Sequence, residues 1–124
     1  GQIVVLGSSG VVSDATMAEL GTYAGGNVSR LAGPDRYATA AAISAASFTP
    51  GAPVVYVATG ENFPDALAGA AAAGTAGAPL LLVARTSIPA AIRTELVRLA
   101  PGQIVVLGSS GVVSDATMAA LRLP

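Results

Sequence analysis

The chain has 124 residues, enough for one domain with a single core, and 52% of them are hydrophobic. Its formal net charge is −1, so the sequence lacks the basic surface that nucleic-acid binding requires. Cysteine and histidine are both absent, which excludes disulfides, thiolate or imidazole metal sites, and catalytic systems built on either side chain. We therefore expect no enzyme activity, no cofactor, no metal and no nucleic-acid partner.

Residues 1–20 recur at 102–121, and the two segments differ only where Glu19 is replaced by Ala120. A period of roughly a hundred residues matches tandem whole-domain repeats and is too long for a solenoid. We call these segments the N-terminal duplicate and the C-terminal duplicate. We expect 1–21 to be the tail of a preceding repeat or a swapped strand–helix segment, and 22–124 to be one complete repeat.

Short apolar runs without alternation, typical of buried parallel strands, lie at 3–6, 54–57, 80–83 and 104–107. Helical patterns lie at 35–48, 64–73 and 89–99, and shorter helices are predicted to begin at Asp14 and Asp115, capped by Ser13 and Ser114. Alternating strands and helices predict an α/β fold with a small open parallel sheet, flavodoxin-like or Rossmann-like, and helices on both faces.

Both duplicates suit the same position beside the central strands, and only one can occupy it. The other must add at a sheet edge, exchange into a neighbouring chain or pack against another repeat, because an unpaired apolar strand promotes aggregation. We therefore expect a homo-oligomer, with segment exchange as one route to it. A chain boundary that falls inside the preceding repeat explains the N-terminal duplicate equally well.

Ligands of open parallel sheets bind outside the carboxyl ends of the strands, which here means the loops at 59–62, 85–87 and 108–111. Arg85 is the strongest candidate, since its guanidinium can form a two-pronged pair with a phosphate or carboxylate. Turn geometry and helix capping explain the serines equally well. The candidate ligand-binding residues on this rim are Thr59, Glu61, Asn62, Arg85, Ser109 and Ser110.

Arg30 and Arg36 flank the turn formed by residues 33 and 34 and are further candidate anion contacts. For Arg36, a pairing with Asp35 or Asp65 that fixes the turn is favoured over ligand binding. Glu61 and Asp65 lie four residues apart, and stabilisation of the turn and the helix start is favoured over a metal role.

Four segments occur in an order that resembles a known family: RLAGPDRY at 30–37, ATGENFPDALAG at 58–69, PLLLVA at 79–84 and QIVVLGSSGVVS at 103–114. They resemble the signature segments of the cell-wall-binding repeat 2 family, found in surface-anchored proteins of Gram-positive bacteria. The resemblance covers nearly all of residues 28–121.

The resemblance implies a non-catalytic module that anchors a secreted protein to anionic cell-wall polymers. Family members usually carry three tandem repeats about a pseudo-threefold axis, so a chain with one repeat is expected to act as a trimer. The resemblance also implies a polymer-binding role for Leu80, Leu81 and Leu82, which the sequence pattern itself predicts to be a buried strand. The alternative is a structural or engineered repeat that self-assembles and binds no polymer.

The expected location is the cell wall or cell surface. The first residues form an apolar run without a basic flank, so the signal peptide of such a secreted protein is expected outside this chain. Every apolar stretch is interrupted before it reaches membrane-spanning length, and we expect no membrane insertion.

Overall fold

The computed structural model describes residues 1–122, in which five strands alternate with five helices. The strands are β1 (Ile3–Leu6), β2 (Val28–Leu31), β3 (Val54–Thr59), β4 (Leu80–Val83) and β5 (Gln103–Val106). The helices are α1 (Asp14–Thr22), α2 (Arg36–Ser47), α3 (Phe63–Ala76), α4 (Ala90–Leu99) and α5 (Asp115–Leu121).

The strands form two parallel sheets, one with the order β4-β3-β5 and one that contains β1 and β2. The predicted α/β fold with small parallel sheets is confirmed, and its strands divide into one three-stranded and one two-stranded sheet. The residue pattern did not predict β2, because Ser29 and Arg30 interrupt its apolar residues.

The main core lies on one face of the three-stranded sheet. Val55 and Val57 of β3 and Leu81 of β4 are fully buried there, beneath Ile92 and Leu99 of α4. Side chains of α2 and α5 complete this cluster. The helix predicted at 89–99 therefore forms as α4 and supplies part of the core.

The opposite face of this sheet is covered by α3, which approaches closely because it carries glycine at the contact. A Cβ at Gly69 would collide with a methyl group of Leu107, the residue after β5. Helices therefore cover both faces, as predicted. The helix is longer than the predicted 64–73 and ends at Gly77, which adopts the left-handed conformation (φ 62°) typical of helix C-termini.

The predicted serine caps are confirmed at both duplicates. The Ser13 hydroxyl accepts a hydrogen bond from the amide of Thr16 (3.1 Å), and Ser114 does the same for Thr117 (3.2 Å). Each serine thereby satisfies one of the amides that a helix start leaves without a partner.

A buried ionic network connects α2 to α4. Glu95 is 4% exposed and accepts hydrogen bonds from the Ser44 hydroxyl (2.6 Å) and from Nη2 (2.6 Å) and Nε (2.9 Å) of Arg98. Burial tends to raise the pKa of Glu95, but the hydrogen bonds from Arg98 and Ser44 outweigh it and hold the pKa below its ordinary value. The carboxylate is therefore charged, and it fixes the packing of the two helices.

The structure assigns different positions to the two duplicates. The C-terminal duplicate supplies β5 and α5 and takes the position beside β3. The N-terminal duplicate supplies β1 and α1 and pairs with β2 in the separate sheet.

Candidate functional site

Three loops meet at the carboxyl edge of the β4-β3-β5 sheet, and Arg85 holds them together. Its amide donates to Oε1 of Glu61 (3.2 Å), in the loop after β3. Its Nε donates to the carbonyl of Gly111 (2.9 Å), in the loop after β5. Its own carbonyl accepts from the amide of Ser114 and the hydroxyl of Thr117, both at 2.9 Å. One residue therefore fixes the geometry of the predicted rim.

The guanidinium of Arg85 retains binding capacity. The residue is exposed, and within residues 1–122 only its Nε donates a hydrogen bond, so both Nη atoms lack a protein partner. A guanidinium that is held at one nitrogen and free at the other two can bind an anion without much loss of conformational freedom. This geometry suits a phosphate or a carboxylate.

The strand ends and loops at this rim carry further polar side chains. Asn62 precedes α3 and is exposed, and its side chain makes no capping hydrogen bond. Ser109 and Ser110 are exposed, and the Ser109 hydroxyl accepts from the amide of Gly111 (3.3 Å), which fits its predicted turn role. Thr59 is only 1% exposed, and its hydroxyl accepts from the Glu61 amide (3.1 Å), so it supports the loop from beneath.

Arg36 also reaches this rim. Its Nη1 donates to the carbonyl of Gly60, beside Glu61. The predicted pairing with Asp35 or Asp65 is wrong, since neither ion pair forms within residues 1–122. The carboxylate of Asp35 instead caps α2 by accepting from the amide of Ala38 (2.8 Å), and Asp65 lies in the first turn of α3.

Arg30 is not brought to this rim. It lies on β2, where Nη1 donates to the carbonyl of Gly7 (2.6 Å) and Nη2 pairs with Asp14 (3.2 Å). Its side chain is only 17% exposed. Arg30 therefore joins β2 to the N-terminal duplicate and does not share a site with Arg85 inside one chain.

The three leucines for which the family resemblance implies polymer binding lie on β4. Leu81 is fully buried, while Leu80 and Leu82 are half-buried and point to the face covered by α3. This burial agrees with the strand that the sequence pattern predicts.

Within the described part of the chain, no group of three or more histidine, cysteine, aspartate or glutamate side chains could hold a metal ion. Across the same residues, no helix combines the length and the apolar character needed to cross a membrane.

The comparison with protein families decides the assignment, because the model of cell wall binding domain 2 (CWB2) matches residues 30–118. The chain belongs to the CWB2 family. CWB2 domains bind cell walls and are non-catalytic, so this chain contains a cell-wall-binding repeat. The resemblance carried by the segments from 30 to 114 is thereby confirmed.

Two solved structures of proteins from Clostridium difficile share the fold. Cwp8 aligns with a TM-score of 0.79 and 24% identity over 97% of this chain and 22% of its own. Cwp6 aligns with a TM-score of 0.84 and 21% identity over 97% of this chain and 20% of its own. The chain thus spans about one fifth of either structure. A comparison with curated proteins found no match.

Proposed function

We propose that this CWB2 chain is an anchoring module that binds anionic cell-wall polymers at the rim of the β4-β3-β5 sheet and acts as a trimer of repeats. Its residues 22–124 form one repeat, and 1–21 correspond to the tail of another. The module would hold a secreted Gram-positive protein at the cell surface, and its family membership supports the wall as the target.

The observation that carries this proposal is the free guanidinium edge of Arg85 above three joined loops. The exposed Arg36 donates to the carbonyl of Gly60 in the β3–α3 loop and supplies a second positive charge. Exposed hydroxyls of Ser109 and Ser110 and the amide of Asn62 offer hydrogen bonds to sugar hydroxyls. The net charge of −1 gives no long-range attraction to a polyanion, so these local arginines would supply the affinity.

The test is co-sedimentation of the full chain with Gram-positive cell walls, before and after chemical removal of their anionic polymers. We expect binding that disappears on stripping and that weakens as salt is raised, because the contacts are ionic and exposed. Arg85→Gln should lose most of the binding. Arg93→Gln is the matched control, since it removes the same charge from an exposed arginine whose Nε donates to a different carbonyl, that of Ile88.

Equal loss in both variants would refute a specific role for Arg85. Binding that survives stripping would refute the anionic ligand. The mass in solution must be recorded for each sample, because a change in oligomeric state would alter avidity without touching the site.

The duplication favours a second candidate, a structural or engineered repeat that only self-assembles. The chain holds two copies of one strand–helix unit, and these copies offer two equivalent pairing surfaces. A defined oligomer that fails to sediment with intact walls would favour this function over anchoring.

A further inference from the structure

The two duplicates show the same strand with two different neighbours. Residue numbers in the C-terminal duplicate exceed those in the N-terminal duplicate by 101, so Ile3 corresponds to Ile104 and Gly7 to Gly108. As β1, the sequence pairs with β2; as β5, it pairs with β3.

Hydrogen-bond directions show that β2 and β3 use opposite edges of this sequence. The amides of Ile3 and Gly7 donate to carbonyls at the β2 side, those of Asn27 (3.0 Å) and Leu31 (2.9 Å). In β5 the amide that donates to β3 is that of Leu107, which reaches the carbonyl of Val57 (2.8 Å). Successive amides of a strand point to opposite sides, so the amides of Leu107 and Gly108 point to opposite edges of β5.

The edge of β5 that faces away from β3 therefore corresponds to the edge of β1 that binds β2. This edge has no strand partner within residues 1–122. An apolar groove of about 750 Å³ lies beside it, between α4 and α5. Its lining includes Ile104 and Val106 of β5 and two exposed apolar residues, Val97 (71% exposed) and Met118 (39% exposed).

We propose that the free edge of β5 is the docking site for β2 of a second chain. The result would be a four-stranded parallel sheet, β4-β3-β5-β2, with Ile104 opposite Val28 and Leu107 opposite Leu31, as β1 and β2 are paired within one chain. The contact is head-to-tail, so it can close into a ring. It supplies an interface for the proposed trimer but does not depend on polymer binding.

The same docking would bring a second arginine to the candidate site. Within one chain, Arg30 binds the carbonyl of Gly7 and the carboxylate of Asp14. The corresponding residues, Gly108 and Asp115, form the loop and helix start beside Arg85, and Asp115 makes no ion pair within residues 1–122. Arg30 of the second chain would therefore hold one end of the 108–111 loop while Arg85 holds the other.

Docking requires β1 to leave β2, because both strands compete for the same edge. The N-terminal duplicate is the weaker competitor: Val4 is 43% exposed and Leu6 is 51% exposed. The C-terminal duplicate is fixed to its own chain by the buried side chains of Val113 and Leu121. We therefore expect β5 to stay on β3 and to displace β1 from β2, and not the reverse.

The duplication provides a matched pair of full-chain variants. The amide of Val5 lies between those of Ile3 and Gly7 and faces β2, so Val5→Pro removes a hydrogen bond that holds β1. The amide of Val106 faces the free edge, so Val106→Pro spares the pairing with β3 and blocks docking. Mass in solution is measured for each variant and for the double variant.

We expect the natural chain to form a closed oligomer, with a trimer as the proposed size, Val5→Pro to raise the fraction of chains in that oligomer, and the double variant to return to one chain. A monomeric Val5→Pro protein with intact helical circular dichroism would overturn the proposal. So would an oligomer that persists in the double variant.

Cysteine crosslinking tests the register even if a proline variant fails to fold. Because the natural chain has no cysteine, a disulfide can form only between the introduced residues. Ser29 pairs with Val4 in one chain, so its partner across the proposed interface is Val105. Chains with Ser29→Cys and chains with Val105→Cys are mixed under a mild oxidant, and a disulfide-linked heterodimer is expected. Thr75→Cys, exposed on α3, replaces Val105→Cys in the control. Crosslinking no greater than this control would overturn the register.

The residue that follows each duplicate differs between the two copies, which provides a further test of the geometry. A Cβ at Gly21 would lie 3.0 Å from a methyl group of Val28, and the corresponding position after the C-terminal duplicate is Arg122. An incoming Val28 would therefore meet a side chain that β1 does not present. We expect Arg122→Gly to increase the yield of the Ser29–Val105 crosslink, and a decrease would contradict the proposed geometry.

Discussion

The N-terminal and C-terminal duplicates share nineteen of twenty residues but occupy different environments. In the C-terminal duplicate Thr117 is 3% exposed and Leu121 is 6% exposed, whereas the corresponding Thr16 is exposed and Leu20 is half-buried. Local structure is nonetheless the same, since each duplicate forms a strand, a turn and a serine-capped helix. Sequence therefore determines the unit, and the neighbouring elements determine how much of it is buried.

The difference arises from what covers each strand. Leu107 packs against α3, which follows β3 in the same chain. Its counterpart Leu6 is 51% exposed. The N-terminal duplicate is thus an incompletely buried version of the C-terminal one, and variants at matched positions should separate local from tertiary stability.

The largest difference is expected at the helix that closes the core. Leu121→Ala should lower the free energy of unfolding by about 2–4 kcal/mol, because it leaves a cavity in the main core. Leu20→Ala, in the half-buried counterpart, should cost about 1 kcal/mol or less. Denaturant unfolding of both variants measures the two effects. Equal losses would mean that α1 and α5 are equally buried in solution, which would contradict the difference in burial between Leu20 and Leu121.

Much of this fold was predictable from residue patterns. The short apolar runs at 3–6 and 80–83 are strands with those bounds, and the serines before Asp14 and Asp115 cap helices as expected. These features depend on local chemistry, which is the same wherever the segment packs. The choice of β3 as partner of β5, and of β2 as partner of β1, depends on long-range packing and was not predictable.

The candidate site shows the same division. The three loops of the rim follow from the strand order, and the structure brings them together around Arg85. The sequence could not show that Arg85 binds the carbonyl of Gly111, because such contacts depend on backbone positions 26 residues apart. Nor could it show that Arg36 chooses the carbonyl of Gly60 over two nearby carboxylates. The available signal was the repetition of residues 7–10 at 108–111, since Arg30 binds the carbonyl of Gly7 in the first copy of this loop.

The next largest difference is expected between the two ion pairs, the buried Glu95–Arg98 pair between α2 and α4 and the exposed Asp14–Arg30 pair between α1 and β2. Glu95→Gln should lower stability at neutral pH by about 1.5–3 kcal/mol, because it weakens hydrogen bonds to a buried charge. Asp14→Asn removes the pair with Arg30, but Asp14 is 86% exposed, so the cost should stay below about 1 kcal/mol. Thermal or denaturant unfolding at neutral pH distinguishes the two.

The pH dependence of Glu95 provides an independent check. Its folded-state pKa is held below the ordinary value of 4.5, so the unfolded chain takes up the proton first as the pH falls. Its stabilisation is thus complete above that value and is lost progressively below it. We expect Glu95→Gln to show a shallower loss of stability in this acidic range than the natural chain. An unchanged acid dependence would indicate that other carboxylates control it.

The smallest difference is expected at the matched threonines of the two helix starts. The Thr117 hydroxyl donates to the carbonyl of Arg85 (2.9 Å) in a buried setting, so Thr117→Val should cost about 1 kcal/mol. Thr16 is exposed, and within residues 1–122 its hydroxyl has one hydrogen-bond partner, the hydroxyl of Ser13 (2.9 Å), so Thr16→Val should be close to neutral. Because Thr117 supports the residue that ties the rim together, its variant should also weaken cell-wall binding, whereas Thr16→Val should not. A loss of stability at Thr117 without any change in wall binding would separate the packing of the C-terminal duplicate from the function of Arg85.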